Sequence, residues 1–272
     1  GETLPGRLPE VALYLALALG LLVFARGWVE ALPRRMSERA SDYARDAVGF
    51  AASLGQIAIP TAGAYLLVRA LDATGLAGPW ARPILMALPV AALILFGGRW
   101  LARRLFPASG DPPVCFPEPM RLRGRLYGTG LTLALALHHV AARALLPLSG
   151  TRGGGPQDSR IPLEIDPGAA AVFHLPLVVM GAVMLFRLSH ILRRAREFTN
   201  TNTPDYGDAA LALLGHAGRF VALVAPALVL VGFVTMANAI LWPTAMTLGL
   251  LALLVVLQEF VADLWVLVTR NR

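Results

Sequence analysis

Apolar runs of about twenty residues recur seven times along this chain, and every positive charge between them is an arginine. A helix rising 1.5 Å per residue needs about 20 apolar residues to cross the roughly 30 Å hydrocarbon core of a bilayer. The pattern therefore predicts an all-α, polytopic membrane protein in which residues 1–272 form a single helical module. The spans fall near 9–25, 47–69, 80–101, 126–147, 169–192, 217–241 and 244–268. Composition points the same way: only 15% of the residues are charged and 56% are hydrophobic, against roughly 25% charged in soluble domains.

Several function classes are excluded at once. The chain has no lysine, which removes P-loop, Schiff-base and Ser/Lys chemistry. The single cysteine, Cys115, forms neither an intrachain disulfide nor a multi-cysteine metal site. No Ser/His/Asp grouping, metal-ligand spacing or Gly-rich nucleotide motif occurs; Gly153 to Gly155 precede Pro156 in a turn with no strand before it. The chain is accordingly read as a non-enzyme without cofactor or metal. Its net charge of +7 would suggest nucleic acid in a soluble protein, but the arginines gather at the ends of apolar runs, where they set topology. Membrane lipids, not nucleic acid, are the expected partners.

Positive charge stays on the cytoplasmic side. Six arginines (Arg7, Arg69, Arg82, Arg143, Arg152 and Arg160) lie on connections of one parity, and the other 18 of the 24 lie on the opposite parity. This predicts an outside N-terminus and a cytoplasmic C-terminus. The chain opens at Gly1 without a signal-like n-region, as expected of a processed or excised piece.

Pro60, Pro89, Pro176 and Pro226 fall within spans. Each removes a backbone donor and bends its helix, as a hinge or as a static kink. Ala12, Ala16 and Gly20 make a small-residue stripe suited to close helix contact. Residues 26–46 are Arg-rich, yet Trp28, Leu32, Met36, Ala40 and Tyr43 share a helical face. Either this segment lies amphipathically in the cytoplasmic interface, with Arg34, Arg35 and Arg39 on lipid headgroups, or it extends the second span. Arg103 and Arg104 are further headgroup candidates.

Among the histidines, His174 and His190 share the fifth span but lie roughly 24 Å apart at 1.5 Å per residue. The adjacent His138 and His139 point about 100° apart, and no other span offers an axial pair for haem. Interhelical hydrogen bonding is the expected role, and His216 opens the sixth span. Intramembrane carboxylates carry more information because they are costly and face a partner or water. Gln258, Glu259 and Asp263 lie in the seventh span, and Arg187 and His190 lie at the same depth on the fifth. A structural ion pair and an ion- or proton-coupling site both fit this polar network.

The runs WLARRLFP (Trp100 to Pro107), LVAPALVLVGFVTMANAILWP (Leu223 to Pro243) and TLGLLALLVVLQEFVADLWVLVTR (Thr247 to Arg270) resemble one family. They are similar to the upstream transmembrane region of large bacterial mechanosensitive channels related to MscS, the many-helix class comparable to MscK. The resemblance implies an inner-membrane homo-oligomer, a heptamer, whose helices sense tension around a central pore and protect against hypo-osmotic shock. It places the pore helix and the cytoplasmic β-domain outside these residues. Leu257-Gln258 and Ala262-Asp263 echo that pore helix, but Glu259 and Trp265 stand where it has small residues. The alternatives are a secondary transporter using Glu259 and Asp263, or a structural membrane subunit.

Overall fold

The computed structural model describes residues 9–21, 45–79, 81–108, 117–145, 167–198 and 206–270. All regular structure among them is helical. In chain order the helices are α1 (Pro9–Leu21), α2 (Arg45–Ser53), α3 (Gly55–Ala73), α4 (Ala81–Leu105), α5 (Glu118–Val140), α6 (Pro167–Phe198), α7 (Tyr206–Leu230) and α8 (Val234–Arg270). A π-helical turn, Ala141–Leu145, continues α5. Among the described residues five stretches are long and apolar enough to cross a membrane: Gly49–Ala73, Ala81–Leu105, Ala171–Arg194, Leu213–Leu230 and Val234–Ala262. The other two of the seven expected spans are the short α1 and α5, whose first turns carry Glu118, Arg121, Arg123 and Arg125.

The last two spans divide at a different place from the expected one. The sequence reading put the boundary at 242–243, beside Pro243, whereas α7 ends at Leu230 and Pro243 lies inside α8. The physical cause is Gly232, which has φ +98°, a left-handed conformation that costs glycine no Cβ clash. Around it, Phe233 N donates to Leu228 O at 2.8 Å and Gly232 N donates to Val229 O at 3.0 Å. This pair of reversed bonds is a Schellman cap, and it satisfies carbonyls that the helix end leaves open. The four expected span prolines, Pro60, Pro89, Pro176 and Pro226, likewise lie inside α3, α4, α6 and α7. Ahead of α4, Gly75 at φ +68° closes α3 in a related way, and Arg82 Nε pairs with Asp72 Oδ1 at 3.4 Å across that turn.

Successive helices from α3 to α7 pack as neighbours, and α8 returns across α6, α4 and α2. The interior joins α5, α6, α7 and the first half of α8. Six of its fourteen buried residues are alanines (Ala134, Ala182, Ala222, Ala225, Ala237 and Ala245). Large apolar side chains instead point outward, among them Leu76 at 79% exposure, Leu230 at 78% and Leu213 at 71%. Small residues inside and large ones outside suit lipid, where close backbone approach and not water exclusion holds helices together. In water the same surface would be an aggregation liability. Close approach is literal at Gly98 on α4, where an added Cβ would collide with the Thr132 side chain of α5. Of the stripe Ala12, Ala16 and Gly20, Ala12 and Ala16 are exposed and Gly20 is half-buried, whereas Ala18 is the buried residue of α1.

Candidate functional site

Two polar clusters interrupt the apolar interior, one against each half of α8. The first lies at the arginine-rich end, where α2, α4 and α8 meet. Trp100 and Arg104 are four residues apart on α4 and so share a face, and Ser53 of α2 serves both. Trp100 Nε1 donates to Ser53 Oγ at 2.9 Å, Arg104 Nη2 donates to the same oxygen at 2.8 Å, and the Ser53 hydroxyl donates to Phe50 O at 2.7 Å. One donor and two acceptor sites are all that a hydroxyl has, so Ser53 is fully used. Arg104 also donates to Gly49 O at 3.3 Å and stands over the Phe50 ring, 5.1 Å from its centre. Phe50 in turn stacks on Phe260 of α8 at 4.1 Å and meets Trp100 edge-on at 5.7 Å. The neighbouring carboxylate, Glu259, acts on the Arg104 charge. A shared hydroxyl, the Arg104 guanidinium and three aromatic rings therefore clamp the second half of α8 to α2 and α4, with the Glu259 charge nearby.

The second cluster is set among α5, α6 and the first half of α8. Trp242 Nε1 donates to Asn238 Oδ1 at 2.6 Å, and Asn238 Nδ2 donates to Val234 O at 2.8 Å. The His138 ring lies parallel to the Trp242 indole at 4.4 Å and meets His174 edge-on at 5.8 Å. His174 is fully buried. His138 Nδ1 is buried with no hydrogen-bond partner among the described residues. Among the described residues no group of three or more His, Cys, Asp or Glu side chains gathers to hold a metal ion.

These placements rearrange the expected network. Glu259 acts on Arg104, and among the described residues no ion pair joins it to Arg187. Arg187, His190 and Gln258 are exposed, and the Asp263 side chain lies outside the described residues. Arg104, expected at lipid headgroups, turns into the α2, α4 and α8 clamp, while its neighbour Arg103 is exposed. Arg34, Arg35 and Arg39, with the segment 26–46 apart from its last two residues, lie outside the described residues. His138 of α5 meets His174 of α6 edge-on, a neighbour relation between spans that spacing within one span does not disclose. Sequence reasoning missed Phe50, Ser53, Asn238 and Trp242. Asn238 and Trp242 are four apart and so visible as a pair, but the misplaced boundary had left Trp242 in the connection after the span that holds Asn238. No family model matches the chain, and neither a curated protein nor a solved structure matches it.

Proposed function

We propose that this chain is a tension-sensing transmembrane module of a bacterial inner-membrane mechanosensitive channel, of the MscS-like kind that its sequence resembles. In this reading the arginine-rich end is cytoplasmic, the chain assembles as a homo-oligomer, a heptamer, and its role is protection against hypo-osmotic shock. The observation that carries the reading is the diagonal course of α8. Its first half packs among α5, α6 and α7 through Val234, Ala237, Leu241 and Trp242. Its second half is held to α2 and α4 through Val256 and Phe260. At 37 residues α8 is about 55 Å long, well beyond a hydrocarbon core of roughly 30 Å. A strut longer than the membrane is thick answers thinning by tilting, at fractions of a kcal/mol per Å. Tension favours the state with the larger in-plane footprint, and a more tilted α8 spreads the two helix groups it joins.

Recording from the parent channel in patched bilayers tests this. Removing residues 1–272 shifts the gating threshold and leaves unitary conductance unchanged. A large change in conductance would place these helices in the pore and contradict the reading.

A second reading, a secondary transporter, is favoured by one observation: the fully buried His174 meets the half-buried His138, which stacks on Trp242. Proton-coupled uptake by the purified chain, abolished in His138→Phe, would select it.

A further inference from the structure

Every charge that acts on His190 among the described residues is an arginine: Arg194, Arg219, Arg193 and Arg187. Arg187, His190 and Arg194 are three or four residues apart and line the exposed outer face of α6. Arg219 reaches them from α7, its guanidinium 5.0 Å above the Phe186 ring. Among the described residues none of the four arginines makes an ion pair. The four guanidiniums concentrate positive charge on this face, and an anion bound among them would offset their mutual repulsion.

We propose that this face of α6 and α7 binds the phosphate headgroup of an anionic phospholipid. The inference rests on the reading that α6 and α7 cross a bilayer, but not on tension sensing. Charge complementarity alone would serve a free phosphate equally well, and what singles out a lipid is the surface next to the arginines. Val179 and Val183 on α6 and Leu223 on α7 are exposed large apolar residues one to two turns further toward the membrane centre than Arg187 and Arg219, and the exposed Phe220 directly follows Arg219. A ligand that fits cations at the interface with bare apolar surface beneath them is an amphiphile. Its phosphate takes the forked donors of arginine, and its acyl chains lie along the valines, Phe220 and Leu223. This site is distinct from the Arg104 clamp, whose guanidinium is occupied by Ser53, Gly49 and Phe50.

Native mass spectrometry of the full chain in detergent tests the site, with phosphatidylglycerol, phosphatidylcholine and glycerol phosphate as titrants. The expected result is that phosphatidylglycerol binds at least about tenfold more tightly than phosphatidylcholine, with glycerol phosphate far weaker than the whole lipid. Interfacial arginines contribute about 1 kcal/mol each near an anionic surface, a factor of roughly five. The triple variant Arg187→Gln, Arg194→Gln, Arg219→Gln should therefore lose about tenfold or more in phosphatidylglycerol affinity. The exposed control set Arg69→Gln, Arg99→Gln, Arg123→Gln removes the same charge and should stay within about twofold. Equal loss in the control set would make the attraction a diffuse effect of net charge and overturn the site. Equal binding of phosphatidylcholine, or glycerol phosphate as tight as the lipid, would overturn the anionic-lipid assignment. Release of the protein from membranes by alkaline carbonate would instead remove the bilayer reading on which the site rests. Circular dichroism of the triple variant checks that its helices are retained.

Discussion

A single hydroxyl holds much of the arginine-rich end together. Ser53→Ala takes away the acceptor of two donors, Trp100 Nε1 and an Arg104 N–H, and leaves the indole N–H of a 4% exposed tryptophan without a partner. Such a loss costs about 1–3 kcal/mol, more where a charge is involved. Ser53→Ala should thus lower the detergent-solubilised melting temperature clearly, and Arg104→Leu should do so comparably, since it also removes the stacking on Phe50. Combined, the two should cost less than their sum; strict additivity would show that the residues do not share one network. At the other cluster, His138→Phe keeps a flat ring against Trp242 and removes an unpartnered Nδ1. It should change stability by less than about 1 kcal/mol, whereas His138→Ala should cost about 2–4 kcal/mol through the cavity and the lost stack. Thermal unfolding of the two variants separates them, and equal losses would show that the polar atoms, not the ring, matter at this position.

At the scale of elements, Gly232 decides where α7 stops. No heavy atom lies within 4 Å of where a Cβ would stand, so Gly232→Ala should be penalised by its φ alone, about 1–2 kcal/mol, and Gly232→Asn by less. Unfolding of both variants checks this, and an unaffected Gly232→Ala would mean the turn is not held at positive φ. The same glycine marks the limit of what the sequence discloses. Long apolar runs disclose that there are membrane-length helices, because length and hydropathy are local properties. A lone glycine in LVLVGFV carries no polar flank to separate it from a mid-span glycine, and Pro243 competes with it as a visible break. Pro243 is absorbed inside α8 because a helix among neighbours tolerates a missing donor. The site was legible in kind but not in pairing. Glu259 stands out as an intramembrane carboxylate, but which arginine it meets depends on how α8 crosses the bundle, and Arg187 and Arg104 are equally plausible by depth. Ser53 is one hydroxyl in an apolar stretch, and nothing local distinguishes it.

For the whole molecule, the proposed orientation and the proposed response to tension are separate matters. Alkaline phosphatase fused in the 149–168 connection should be active, and fused at Arg272 inactive, because 18 of the 24 arginines belong to the side that the proposed orientation turns to the cytoplasm; the reverse pattern would invert the topology. The central claim is that α8 is a strut whose tilt follows the membrane. It predicts motion at the arginine-poor end, where α8 begins among α5, α6 and α7, while the clamp at Phe50 and Phe260 stays closed. Spin labels at Leu76→Cys and Phe233→Cys, with Cys115→Ser, report the distance from the α3 to α4 turn to the start of α8 by double electron–electron resonance in nanodiscs of long-chain and short-chain phosphatidylcholine. The strut predicts that the distance grows by about 3 Å or more in the thinner bilayer, and a distribution unchanged between the two thicknesses would contradict it.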